Sequence, residues 1–110
     1  MSNIDADALL KGMLGAAKAA VTGHWNDLRP FAEAEMKKLV TTALQIEAGR
    51  IDGSLSEAQA KILLKMQANS SQAVLTAVET VGMIAAQDAI NAALGVLKDT
   101  VNAAVGVVLL

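Results

Sequence analysis

Residues 54–110 read SLSEAQAKILLKMQANSSQAVLTAVETVGMIAAQDAINAALGVLKDTVNAAVGVVLL, and how this stretch folds decides the architecture. It holds no proline and no charge cluster. Asp52-Gly53 ahead of it is turn chemistry. Ser54-Leu55-Ser56-Glu57 has the spacing of a capping box, in which the Ser54 hydroxyl accepts from the Glu57 amide and the Glu57 carboxylate reaches back to the Ser54 amide. The expectation is one long helix over about residues 55–108.

An eleven-residue repeat runs through this stretch. Lys65, Thr76, Gln87 and Lys98 recur at that interval, and so do Asn69, Thr80, Asn91 and Asn102. All eight are polar, while the positions between them are mostly apolar or small, as in Leu64, Leu75, Ala86 and Leu97. Such a hendecad repeat has about 3.67 residues per turn, so a polar stripe runs nearly straight along the helix with a slow right-handed drift. The stripe either faces solvent or lines the interior of a symmetric, coiled-coil-like assembly.

Length adds a constraint. A helix over residues 55–108 would be roughly 80 Å long at about 1.5 Å per residue. A compact chain of this size has a radius of gyration of about 13 Å. The helix would outrun its own protomer, and other copies of the chain would have to cover its wide apolar face. Ile62, Leu64, Leu75, Ile84, Leu97 and Val108 are the residues expected at that oligomer interface. The competing reading breaks the helix at Asn69-Ser70-Ser71 or near Gly82 and folds it back as two shorter helices. A lone Gly inside a helix costs only about 1 kcal/mol. The register also runs unbroken through both points, so the continuous helix is preferred.

Upstream, two shorter helices are expected, over about 4–21 and 27–48. The first opens on a capping-box pattern, Ser2-Asn3-Ile4-Asp5, and carries Leu9, Leu10, Met13, Leu14, Ala17, Ala20 and Val21 at helical spacing. Gly12 and Gly15 thin one face and permit close approach of another helix, and Gly23 suits the residue just past the C-terminus. The connector holds the only His and the only Trp, His24 and Trp25. Asn26 or Asp27 could cap the second helix, with Pro30 in its first turn. Phe31, Leu39, Val40, Ala43, Leu44 and Ile46 would supply its buried face. Glu33 with Lys37, and Glu35 with Lys38, would pair on its exposed face, and Gly49 would end it. The fold class is all-α: one helical domain over 1–110, completed as a bundle by self-association.

Composition narrows the function classes. Hydrophobic residues make up 54% of the chain and mean hydropathy is +0.43, so apolar surface is plentiful and global disorder is not expected. A net charge of −2 with no basic cluster longer than Lys37-Lys38, and no aromatic platform, argues against nucleic-acid binding by the outer surface. With no cysteine there is no disulfide, zinc–thiolate site or thiol chemistry. Residues 1–7 carry two acids and no base, so no secretory signal is expected. Charged residues interrupt every candidate membrane span. A cytoplasmic location, or one within an assembled particle, follows as the expectation.

Chemistry-bearing residues are few. His24, beside Trp25 and near Asp27, is the natural suspect for acid–base work, yet nothing in the sequence brings partners to it. A di-metal bundle site needs Glu-x-x-His pairs, which the sequence lacks; an all-carboxylate site from Glu33, Glu47 and Glu79 would have to be built across a dimer. Glu79 interrupts an apolar stretch and is read as a solvated neighbour of the stripe. Gly12-x-x-Gly15 is not a nucleotide fingerprint, and Met13, Met36, Met66 and Met83 read as core filler. No catalytic, cofactor-binding or metal residue is assigned, and no small-molecule substrate is identified.

The expected function is therefore non-enzymatic: a structural or scaffold protein acting by homo-oligomerisation of the hendecad-patterned helix. The apolar ending Val105-Gly106-Val107-Val108-Leu109-Leu110, which needs cover, supports it. One alternative is a membrane-active amphipathic protein exposing the same face to a membrane surface. Only Lys61, Lys65 and Lys98, and no aromatic residue, lie in the long helix to support that. A second alternative is a monomeric four-helix bundle binding a small apolar ligand, which requires the broken helix.

Overall fold

The long helix is broken. In the computed structural model, which describes residues 3–78, 80–106 and 109–110, four α-helices occur among the described residues: α1 (Ala6–Ala20), α2 (Trp25–Asp52), α3 (Glu57–Thr76) and α4 (Met83–Val105). No strand occurs among those residues. The three-helix outline is thus corrected: the chain turns between Thr76 and Met83 and folds back on itself. Asn69–Ser71, the other candidate break, lies inside α3.

Two local features make that turn. The last turn of α3 tightens into i→i+3 bonds, Ala77 N to Val74 O at 3.2 Å and Val78 N to Leu75 O at 3.3 Å. Gly82 then takes φ of +86° with ψ of 159°, a positive-φ extended conformation that glycine adopts without steric cost. The side of the turn facing the bundle is pinned by Val81, which is buried, and by half-buried Val78. Burial explains why the fold-back wins over helix continuity. A break forfeits about four backbone hydrogen bonds, each worth about 1 kcal/mol net. Each Leu or Ile fully buried contributes about 1.5–3 kcal/mol, and Leu64, Leu75, Ile90 and Leu97 all enter the protomer's own core. Glu79 lies outside the described residues.

The helices run up and down in a bundle 43 × 23 × 20 Å in extent, with a radius of gyration of 13.7 Å. α2 and α4 touch across the centre while α1 and α3 do not meet, which gives a rhombic cross-section. α4 packs far more extensively on α1 than on α3. Small residues allow the tight pair: a β-carbon on Gly12 would sit 3.3 Å from Val96 Cγ1, the close approach expected of that glycine. Gly15 has nothing that close. The core runs from Leu9, Met13 and Ala17 of α1 through Leu28, Met36, Leu39 and Ile46 of α2 to Ala93, Leu97 and Val101 of α4.

Helix boundaries differ from expectation for identifiable reasons. α1 begins after Asp5, whose Oδ1 accepts from the Ala8 amide at 3.1 Å, so Asp5 is the cap and not the last member of a box. Ser2 lies outside the described residues. Ile4 and Leu9 occupy the positions of a hydrophobic staple and both are buried. Gly23 does not take the left-handed form; Val21 N–H bonds Lys18 O and His24 N–H bonds Val21 O at 2.7 Å. α2 starts at Trp25, which places Pro30 in its second turn, on the exposed side. It passes through Gly49 and ends at Gly53, φ +79°. The capping box is Ser56–Gln59, not Ser54–Glu57: Ser56 Oγ accepts from Gln59 N at 3.1 Å and Gln59 Oε1 accepts from Ser56 N at 2.8 Å. The Ser54 amide is engaged elsewhere, donating to Asp52 Oδ1 at 2.8 Å.

Several side chains are also placed differently. Phe31 is exposed, as are Met66 and Met83, while Met13 and Met36 are core. Glu33 accepts from Arg29 Nε at 2.9 Å and not from Lys37. Glu35 does pair with Lys38, at 3.0 Å, but its carboxylate is buried. The chain's end is covered by its own bundle. Gly106 turns it with φ +79°, Asn102 Oδ1 accepts from the Leu109 and Leu110 amides, and Leu109 is buried. Val107 and Val108 lie outside the described residues.

Candidate functional site: the groove between α3 and α4

Folding back at Val81–Gly82 gives the eleven-residue repeat a second meaning. Lys65 and Lys98 are equidistant from that dipeptide along the chain, and so are Thr76 and Gln87. An antiparallel hairpin therefore brings the two halves of the stripe alongside each other. α3 contributes Lys61, Lys65, Ala68 and Gln72, and α4 contributes Gln87, Asn91, Leu94 and Lys98. Both sets have the spacing i, i+4, i+7, i+11, which is one face of a helix.

Between the two faces lies a groove of about 410 Å³. Its walls are Lys61, Lys65, Asn69 and Gln72 on one side and Asn91 and Lys98 on the other. Its floor is apolar: buried Leu64 and Ile90, half-buried Ala68 and Leu94, with Leu110 of the chain's end against it. Toward the turn it continues into a hollow of about 320 Å³, which shares Asn69 and Gln72 and adds Thr76, Met83 and Gln87. The thin packing of α3 on α4 is what leaves this space open. Lysine, asparagine and glutamine side chains keep their heads in water and cannot close an apolar seam.

Charge in the groove runs against that of the whole protein. The chain is net −2, yet every charged side chain lining the groove is a lysine. Lys61 is held by Glu57, Nζ to Oε1 3.0 Å, in an exposed i,i+4 pair. Lys65 and Lys98 have no ion-pair partner among the described residues. The walls thus offer ammonium and amide donors above a hydrocarbon floor.

The expected oligomer-interface residues fall into two groups. Leu64, Leu75 and Leu97 are used up in the protomer's own core, whereas Ile62 and Ile84 are exposed; Val108 lies outside the described residues. Of the stripe, Lys65, Asn69, Thr76, Gln87, Asn91 and Lys98 line the groove and its continuation. Thr80 sits exposed in the turn, and Asn102 caps the C-terminal segment. Lys61, Gln72 and Leu94 belong to the groove but not to the hendecad set. Their heptad-like spacing with Lys65 and Lys98 was the available signal.

The other chemistry-bearing residues do not converge. His24 is exposed at the start of α2 without a side-chain capping bond. It edges a wider, more open hollow of about 610 Å³ at the turn end of the bundle, with Val81, Ile84 and Asp88, which shares Met83 with the groove's continuation. That space is larger but more open to solvent, so the α3–α4 groove is the more enclosed site. Glu47 is buried and accepts from the Asn3 amide at 2.9 Å, tying the chain's start to α2. Among the described residues no group of three His, Asp or Glu side chains could hold a metal ion. No helix among them is long and apolar enough to cross a membrane. Comparison with protein-family models, with curated proteins and with solved structures found no match to this chain.

Proposed function

We propose that this chain is a non-catalytic four-helix bundle that binds a small, largely apolar ligand in the α3–α4 groove. One observation carries the reading: the polar repeat of α3 and α4 lines the walls of a groove with an apolar floor, and a purely structural seam would have been closed with leucine or alanine. At about 410 Å³ the groove falls in the range of small-molecule sites, which are mostly apolar with a few oriented polar groups. The test is nuclear magnetic resonance of the ¹⁵N-labelled protein titrated with short aliphatic amphiphiles. The side-chain amides of Asn69, Gln72 and Asn91 should shift together, and shifts confined to the His24 end of the bundle, or none, would refute the reading.

A second reading, self-association, is supported by the outer face of α3. Ile62 and Met66 are 57% and 64% exposed on the side opposite its core-facing residues Leu64 and Leu75. A helix that is apolar on two sides fits one stripe buried at home and the other against a second copy. Light scattering behind size exclusion decides it: a mass near 11.3 kDa rejects self-association, and a discrete multiple that Met66→Lys reduces to that mass supports it.

A further inference from the structure

We infer that the ligand of the α3–α4 groove is an aliphatic carboxylate, its head group between Lys65 and Lys98 and its tail along Leu64, Ala68, Ile90 and Leu94. The inference rests on the reading of the groove as a small-ligand site and deepens it. Three features of the groove converge on this ligand class.

The first is sign. Every charged side chain lining the groove is a lysine although acids outnumber bases in the chain, so the side chains of its walls favour an anion. The second is availability. Lys61 is engaged by Glu57, but Lys65 and Lys98 come from opposite walls and neither has an acid of its own among the described residues. Two ammonium groups on either side of a cleft suit the two oxygens of one carboxylate, each through a charge-assisted hydrogen bond. The third is the floor. It is aliphatic throughout and has no aromatic ring, so it offers nothing for a nucleobase or an aryl ring to stack on, while an alkyl chain gains affinity with each methylene it buries. Asn69 and Asn91 extend the donor set on the two walls beside the lysines.

The experiment is isothermal titration calorimetry of the full chain with decanoate below its micelle concentration, decanol, acetate, and vesicles containing an anionic phospholipid. The wild type is compared with Lys65→Gln/Lys98→Gln, whose two positions are exposed and leave the core untouched. Decanoate should bind at least about tenfold more tightly than either decanol or acetate, the worth of one charge-assisted hydrogen bond or of a few buried methylenes. The double variant should lose about that factor for decanoate and nothing for decanol. Equal binding of decanoate and decanol would overturn the carboxylate and leave the groove as an apolar site. Binding of neither would overturn both readings. Binding of the vesicles without monomeric decanoate would move the ligand to a membrane surface and overturn the inference as well.

Discussion

Gly49 lies against Leu55 where α2 hands the chain to α3. A β-carbon built on Gly49 would sit 2.6 Å from Leu55 Cβ and 3.2 Å from its Cδ2, and the Leu55 amide donates to Gly49 O at 3.0 Å. The turn can close over the helix end only because residue 49 has no side chain. Leu55 has no rotamer that removes its own Cβ, so relief requires a backbone shift.

Gly49→Ala is therefore expected to destabilise the protein by about 1–2 kcal/mol, overpacking outweighing the helix-propensity gain of up to about 1 kcal/mol. Gly95→Ala, in α4 with no foreign atom within 4 Å, should instead stabilise by up to about 1 kcal/mol. Denaturant midpoints of the two variants moving in the same direction would disprove the close approach.

Leu75 and Ile84 are both expected at the oligomer interface of a continuous helix, and the break at Gly82 sends them to different environments. Leu75 is wholly buried and Ile84 is 77% exposed. Leu75→Asp should unfold the chain, the cost of an unpaired buried charge exceeding about 4 kcal/mol. Ile84→Asp should change stability by no more than about 0.5 kcal/mol, and an acid in the first turn of α4 suits the helix dipole. Circular dichroism melts distinguish the two, and cooperative unfolding caused by Ile84→Asp would restore the long-helix arrangement.

Glu35 is buried with one oxygen accepting from the Lys38 ammonium at 3.0 Å and the other, Oε1, without a hydrogen-bond partner among the described residues. Leaving a buried polar atom unsatisfied costs about 1–3 kcal/mol. Glu35→Leu should thus be neutral or stabilise by up to about that amount, while Lys38→Ala should cost about 1 kcal/mol by stranding the carboxylate. Thermal midpoints ordered the other way round would show that the carboxylate is better solvated than its burial implies.

Asp52 sets the pH dependence of the α2–α3 turn. Its hydrogen bonds with Ser54, side chain first and backbone second, hold its carboxyl below the ordinary 3.8. A lowered folded-state value means the ionised form favours the native turn. The contribution is complete above the unfolded value and is lost as pH falls through the folded one. The stability advantage over Asp52→Asn should be constant above about pH 5 and shrink below about pH 4. Because the group is fully exposed, the effect is read as a change in the gap between urea midpoints, and a pH-independent gap would remove the role.

Much of this architecture is legible in the residues themselves. The stripes Leu9/Met13/Ala17 and Leu39/Ala43/Ile46 identify α1 and α2, and the all-helical class follows from the absence of any alternating pattern. The break is not legible. Gly82 carries a local penalty of about 1 kcal/mol, and the turn is decided by the burial of Leu64, Leu75 and Leu97 against helices remote in sequence. The stripe residues of the groove stand out as a pattern, but their facing one another depends on that same turn. Phe31 and Met66 mislead because side-chain type alone does not say which way a helix face points.

The methionines among the described residues form two chemically distinct populations. Met13 and Met36 have no exposed surface, whereas Met66 on the outer face of α3 and Met83 at the mouth of the groove's continuation are about two-thirds exposed. Peroxide should convert Met66 and Met83 to sulfoxides while the fold protects the buried pair. Mass spectrometry of that reaction then acts as a footprint: a second copy docked on α3 would shield Met66, and a ligand reaching toward the turn would shield Met83.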